Sequence, residues 1–504
     1  MSDSQEILPI DQKKVQLRKT RPSHSSASSA RERPEDHASA RTQGQEVRTP
    51  FQKDLDRLLY NYYTRRLARV TQVATITNRS DSELDTAHHV PRNRLTHSLK
   101  VGQVARRTAH YLCGGHNAKQ NEQGIETAGG IDFDVAEFAG RAHDIGHPPF
   151  GHAGEEVLNE LAHEWKLNDG FEGNAQTFRI LTQLTLKGLN TDVKTRKGLE
   201  GDLPRGLDLT YASLASVVKY PRSSKDSDKF GYYDVDKPSF DTYVQPLLYL
   251  DDLGTLEAQI MDWSDDVSYA VHDIEDFAFQ GKIPLHTISN GSADEFLAEA
   301  RALLEEERDT DRRSKSDIDS IIKQFKDYLD SFFMVQLGHS EFDYCRMSQF
   351  ISTVITDASF GTSVAHDGKL KVTPHARGLI TILKHLTWYY VIDQPEMHAQ
   401  QEGNKRILRA VASELKGVAE ATYARQDSEK KQPTKKKKSN MLSIPLRESV
   451  ENAIKQYCDT SVPSLRNEHN LESLGLARGV IDYVASLTED DVFNLYRLYG
   501  LSAQ

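Results

Sequence analysis

The stretch Arg141-Ala-His143-Asp144-Ile-Gly146-His147-Pro148-Pro149-Phe-Gly-His152 sets three histidines and an aspartate within twelve residues. Such a run suits a helix core poorly, because imidazole and carboxylate both lose hydration on burial. Together they suit a divalent cation, since N and O donors satisfy a borderline-to-hard ion. His143 and Asp144 are adjacent, and adjacent side chains reach one ion only where a helix ends. Gly146 and the Pro148-Pro149 pair supply that end.

Two ligands seldom hold a metal, so partners are needed on either side. Upstream, Arg92-Asn-Arg94-Leu-Thr-His97-Ser-Leu opens a helix expected over Ser98–Leu112, with His97 near its start. Downstream, Leu253–Phe279 reads as a helix whose stripe Leu253, Leu256, Ile260, Trp263, Val267, Ala270, Ile274 and Phe277 is apolar. Its other face carries Ala258, Met261, Asp265, Ser268, Tyr269 and His272. A solvent face would favour Lys and Glu pairs, so this one is expected to line a second buried surface. Asp265 at its centre completes a ligand set of His97, His143, Asp144 and Asp265.

The wider chain agrees with a large helical protein. Its 504 residues carry 63 Lys+Arg against 74 Asp+Glu, a net charge of −11, which argues against a general nucleic-acid coat. Cys113, Cys345 and Cys458 lie far apart, excluding a CxxC thiolate site. No run approaches 18 apolar residues, and the N-terminus has no signal-peptide core, so a cytoplasmic protein with no membrane partner is expected.

The 3.6-residue period dominates from residue 48 onward, which makes the fold class mainly α, with few or no β-strands. Further helices are expected at Phe296–Leu304, Ile318–Phe333 and Asp490–Leu498. Residues 1–47, polar and without periodicity, read as a disordered tail. The Gly/Asn/Gln-rich Cys113–Gly130, the aromatic and charged 221–243, and the lysine-rich Arg425–Asn440 read as loops.

The pattern H…HD…D is the signature of HD-domain phosphohydrolases, and within that superfamily the chain resembles the bacterial dGTPase-like deoxynucleoside triphosphate triphosphohydrolases. The resemblance rests on RTPFQKDLDRLL (48–59), RRLARVTQV (65–73), RNRLTHSLKV (92–101), AHDIGHPPFGHAGEEVLNEL (142–161), FEGNAQTFRIL (171–181), LASVVKYP (214–221), KFGYY (229–233), WSDDVSYAVHDIEDF (263–277) and IDYVASLTEDD (481–491). HDIGHPPFGHxGE is far more specific than HD alone. At 486–487 the chain has Ser-Leu where the family tends to have Gly-Met.

The resemblance implies one large domain over 48–504: an HD helical bundle at about 90–280, elaborated by additional helices over 281–504. It implies one divalent metal per subunit (Mg2+, Mn2+ or Fe2+) and hydrolysis of a dNTP, dGTP foremost, to deoxynucleoside and inorganic triphosphate in dNTP pool control. It also implies a tetramer or hexamer and a nucleotide or single-stranded DNA effector. By the same likeness His97, His143, Asp144 and Asp265 match the metal ligands, and His152 with Glu155 matches a catalytic pair. Arg94, Lys219 and Lys229 match phosphate contacts, while Gln72, Tyr269 and Asp273 match the sugar pocket.

Read from the residues alone, His152 and Glu155 share a helix face, where the carboxylate can set the imidazole's tautomer. His152 then serves as general acid/base or as nucleophile, and the sequence does not choose. His147 is expected to position water or phosphate. Two other readings stay open: a different HD nucleotidase or phosphodiesterase, and a regulatory nucleotide-binding HD protein.

Overall fold

The computed structural model describes residues 18, 47–72, 93–185, 206–248, 253–291, 293–307, 314–431, 442–466, 468 and 470–501. The fold is mainly α. Among the described residues the sheet is a single antiparallel hairpin, β1 (Thr362–Val364) against β2 (Leu370–Val372), with Ser363 opposite Lys371.

The site-bearing helices are α1 (Arg94–Cys113), α2 (Gly115–Thr127), α3 (Phe133–Ala142), α4 (Gly151–Glu164), α5 (Gly173–Arg179) and α6 (Leu256–Phe279). Each begins where the sequence offers a side-chain oxygen or a backbone break. Asn93 accepts from Thr96 N at the start of α1, Asp132 caps α3, Glu172 caps α5 and Thr255 caps α6. Helix α3 stops at His143, one residue before the carboxylate it must present beside that imidazole.

Helices α1, α3 and α6 pack on one another, and α1 meets α3 at glycines. A Cβ on Gly140 would lie 2.6 Å from Gly102 N and 2.7 Å from its Cα. No larger residue allows that approach, which brings the His97 and His143 rings to 5.5 Å between centroids.

Separate cores hold the helices. The second half of α6, from Trp263 on, is buried with Phe325, Phe350 and Leu383. Helix α4 contributes Leu158 and Leu161 to a core with Leu415, Val450 and Val480. The end of α3 supplies Phe138 and Ala142 to a third core with Leu58, Leu67 and Phe178. A further core joins the three ligand-bearing helices directly, with Ala105 of α1, Ala136 of α3 and Ile260 of α6 buried together.

Long-range ionic contacts join the last helices to this frame. These are α7 (Pro395–Lys431), α8 (Ile444–Cys458), α9 (Leu471–Ala485) and α10 (Glu489–Leu498). Arg179 of α5, fully buried, is bonded to Asp482 of α9, to Asp236 and to Gln456 of α8. Burial disfavours its charge, but Asp236 and Asp482 outweigh that and hold it protonated.

All three loop expectations are corrected in part. Residues Gly115–Thr127 form helix α2, although the segment is polar and glycine-containing. Tertiary contacts account for it: Asn121 donates to Leu112 O and accepts from Val364 N of β1, and Gly124 lies so close to Ala365 that a Cβ would sit 2.2 Å from its carbonyl oxygen. The second half of 221–243 is also helical, as a 3-10 turn at Asp234–Asp236 and a helix at Lys237–Tyr243, where Pro238 sits in the first turn.

The lysine-rich segment begins as the end of α7, which runs to Lys431, while 432–440 lie outside the described residues. Of residues 1–46 only Arg18 is described; it is buried and ion-paired with Glu257 of α6. Val47, the last residue of the expected tail, is exposed, and the others lie outside the described residues.

Candidate metal and phosphate site

Helix α1 opens the site with Arg94 and His97, one turn apart. His97 Nε2 is 2.9 Å from Asp265 Oδ1. His143 Nδ1 is 2.7 Å from Gly140 O, and a carbonyl can only accept, so Nδ1 carries the proton. The bare Nε2 faces inward, 3.5 Å from Asp265 Oδ1 and 3.4 Å from Asp144 Oδ1. His143 Nε2 and Asp144 Oδ2 are buried with no hydrogen-bond partner. Buried orphans of this kind are costly, and two imidazole nitrogens with two carboxylates are a donor set that a divalent transition or hard cation satisfies. His97, His143 and Asp265 converge closely enough to share an ion, with Asp144 beside them. The residues fit a metal.

Asp144 is also held from behind. Arg94 Nη1 is 2.9 Å from its Oδ1, with both side chains buried. Burial raises its pKa, but Arg94, His143, His147 and His97 outweigh that and hold the carboxyl ionised well below the usual range. Burial lowers the pKa of His143, and Asp144 with Asp265 overcomes this and pushes it up to about 9.

A second cluster follows within one turn of α4. His152 Nδ1 is 2.8 Å from Glu155 Oε2, and Glu155 Oε1 accepts from Gly173 N at 3.1 Å. His147 Nε2 stands 3.7 Å from the same Oε1. Burial raises the Glu155 pKa, but His147 and His152 bring it down to about 2. An ionised Glu155 leaves Nδ1 of His152 as donor and Nε2 as the free lone pair. His152 is 81% exposed, so that nitrogen is open to a substrate. His147 is different: burial and Arg94 lower its pKa to about 4, which keeps it neutral. A Cβ on Gly173 would lie 2.3 Å from Glu155 Oε1 and 2.9 Å from His147 Nδ1, so FEGNAQ supplies a glycine against which the pair can close.

The expected substrate contacts surround these clusters. Tyr269 lies one turn beyond Asp265; burial and its bond to Asp273 raise its pKa. Lys219 is ion-paired with Asp262 and its charge also reaches Asp265. Lys229 is 3.3 Å from Glu172 Oε1 and its charge reaches Glu155. Arg94, expected on phosphate, is bonded to Asp144, with its other edge close to Gly151. Gln72 Oε1 is buried without a hydrogen-bond partner, next to Thr71, which bridges Asn93 at the start of α1.

Sequence reasoning missed several supports. Arg66 donates to Ile145 O at 2.8 Å and His147 O at 2.7 Å, bracing the turn that carries Asp144. Glu172 caps α5 and pairs with Lys229. Glu489 reaches Thr71 and Phe150. Arg66 and Glu172 lie inside the quoted RRLARVTQV and FEGNAQTFRIL strings, and it is their burial in the fold that singles them out. Glu489 lies inside the quoted IDYVASLTEDD string, where it reads only as an acid in the first turn of a helix.

A helical bundle that gathers two histidines and two aspartates from three helices, with His-Asp at a helix end, defines an HD domain, and residues 94–190 match that family. The chain is 33% identical to a deoxyguanosinetriphosphate triphosphohydrolase-like protein of Corynebacterium diphtheriae, over 71% of this chain and 78% of that protein. A protein of the same description from Corynebacterium efficiens is 32% identical, over 72% and 79%. One from Streptomyces coelicolor is 40% identical over 47% of this chain and 49% of its own length. The chain belongs to the deoxyguanosinetriphosphate triphosphohydrolase-like family, whose members are nucleotide phosphohydrolases by description. Among the described residues no helix is long and apolar enough to cross a membrane.

Proposed function

We propose that the protein hydrolyses a deoxynucleoside triphosphate, with dGTP the foremost substrate, to the deoxynucleoside and inorganic triphosphate, and so acts on the dNTP pool. The observation that carries the reading is the placement of the His152–Glu155 pair beside the His97, His143, Asp144 and Asp265 set, bridged by His147 at 3.6 Å from Asp144 Oδ1 and 3.7 Å from Glu155 Oε1. The relatives' shared description supports the substrate class.

A divalent ion held by His97, His143, Asp144 and Asp265 supplies Lewis acidity for the α-phosphate. The remaining work belongs to this chain's own side chains. Water adds at Pα, the Pα–O5′ bond breaks, and a proton is delivered to O5′. His152 Nε2 moves the proton, with Glu155 fixing the ring through Nδ1. Neutral His147, between the two clusters, orients water or a phosphate oxygen.

A triphosphate brings about four negative charges. Lys219 and Lys229 exchange Asp262 and Glu172 for the distal phosphates, and Arg94 adds positive charge behind Asp144. Tyr269 and Asp273 line the sugar, with Gln72 offering its buried amide. A ring packed against C2′ rejects a ribose hydroxyl by clash and by stranding it without a partner.

The test is product analysis. The protein is incubated with each dNTP and with GTP, with Mn2+ or Mg2+, and the phosphate product is resolved by ion chromatography. Triphosphate with free deoxynucleoside supports the reading. Pyrophosphate with a monophosphate sinks it.

A further inference from the structure

The turn between α9 and α10 lies far along the chain from the HD string, yet it touches both sides of the site. Glu489 Oε1 accepts from Thr71 N at 3.0 Å, from Thr71 Oγ1 at 2.6 Å and from Phe150 N at 3.4 Å. One residue short of it in the same turn, Thr488 and Asp491 form a complete capping box: Thr488 Oγ1 takes the Asp491 amide and Asp491 takes the Thr488 amide. The helix start is therefore capped without Glu489. A first-turn acid ordinarily gains only from the helix dipole, whereas this carboxylate is spent on two segments remote in sequence.

Both segments lead directly into the chemistry. Thr71 pairs with Asn93, and Arg94 N donates to Val70 O at 2.9 Å, so this strand-like contact sets the start of α1, where Arg94 and His97 stand. Gln72 is its next residue. Phe150 stands immediately before α4 with φ of +66°, a left-handed conformation that costs a non-glycine residue roughly 1–2 kcal/mol and must be held by its surroundings. Two groups of α10 hold it: Glu489 takes its amide, and Phe493 meets its ring edge-on at 5.6 Å between centroids. His152 is two residues further on. The same turn accepts Arg66 Nη1 through Leu487 O at 3.3 Å, and Arg66 in turn holds the carbonyls of Ile145 and His147.

We infer that Glu489 is a positioning residue that locks the His152 end of α4 to the Gln72–Arg94 side of the site, so that the C-terminal helix sets the distance between proton-transfer group and bound phosphate. This rests on the proposed hydrolysis. Glu489 touches no expected metal ligand and no substrate contact, so its effect runs through backbone placement. A displacement of about 1 Å in such a group costs on the order of 100-fold in rate.

The experiment compares the full-length metal-loaded protein with E489A, E489Q and E489D, measuring kcat, KM, metal content and amide hydrogen exchange. For E489A the expected result is wild-type metal content, kcat lower by about 10- to 100-fold with KM changed less than threefold, and exchange at least tenfold faster at both 70–72 and 150–153. E489Q, whose amide oxygen still accepts from Thr71 and Phe150, should recover most of kcat. A kcat for E489A within twofold of wild type overturns the inference. So does metal loss in step with activity, which would make Glu489 part of the general frame, or an E489Q as poor as E489A. If the wild type releases no triphosphate, the proposed function fails while the exchange data still decide whether Glu489 couples the two segments.

Discussion

His152 Nδ1 and Glu155 Oε2 stand 2.8 Å apart across one turn of α4, while the other Glu155 oxygen is taken by the Gly173 amide. The carboxylate is thus fixed from α5 and can turn the ring but cannot follow it. Replacing His152 with Ala is expected to leave metal and substrate binding intact and to lower kcat by about 10²–10⁴-fold, the usual worth of a positioned acid–base group. Steady-state kinetics check this; a raised KM with unchanged kcat would make His152 a binding residue.

Glu155 gives a pH signature. Its pKa falls from 4.5 unfolded to about 2 folded, because His147 and His152 outweigh burial. A depressed carboxyl contributes stability above its unfolded value, and that contribution is lost as pH falls through the folded one. E155Q should therefore be less stable than wild type near pH 6. The gap should narrow between pH 4.5 and 2. Urea denaturation of both proteins across that range measures it, and a gap independent of pH contradicts it.

Asp144→Asn should lose bound metal and turnover together. The amide is a weak ligand, and the substitution also strips the buried Arg94 of its counter-charge. Metal analysis of the purified variant decides the matter. Full occupancy with near-normal activity would remove Asp144 from the ligand set.

Tyr269→Ala should narrow the preference for dGTP over GTP. Losing the ring opens room for a 2′-hydroxyl, and a lost steric and hydrogen-bonding penalty of this kind is worth roughly 1–3 kcal/mol. The ratio of kcat/KM for the two nucleotides is the measurement. An unchanged ratio places sugar selection elsewhere.

Gly140→Ala tests the helix contact beneath the site. Its new Cβ would lie 2.6 Å from Gly102 N, so α1 and α3 must separate, at about 1–3 kcal/mol. Metal affinity should fall with stability, since the same contact sets His97 beside His143. Gly403→Ala is the control: nothing lies within 4 Å of a Cβ there, and helix propensity favours alanine by about 1 kcal/mol. Thermal melts of the two variants should move in opposite directions, and metal titrations should show weakened affinity for Gly140→Ala alone.

Periodicity and short-range chemistry made much of this protein legible from the chain alone. Helix Leu256–Phe279 buries Trp263, Val267 and Ile274 on its apolar stripe and Ala258, Met261, Ser268 and His272 on the other face, as its wheel leads one to expect. The break after Ala142 follows from glycine and proline, and the His152–Glu155 contact from a three-residue spacing. The 3.6-residue period identified the helical class, while the HD string identified the donor set, since its residue types have few other uses at that density.

Other features depended on contacts that no local pattern encodes. Helix Gly115–Thr127 has too little apolar periodicity to be recognised; it exists because Asn121 and Gly124 meet the hairpin some 240 residues away. The ion pairs of Lys219 with Asp262 and Lys229 with Glu172, and Arg94 with Asp144, joined residues singled out for phosphate to acids that were not. Glu489 is the extreme case, an unremarkable first-turn acid until folding carries it to Thr71 and Phe150. Residue type and spacing determine which chemistry is present. Only tertiary structure decides which groups meet, because the energies that select those meetings come from burial shared between distant segments.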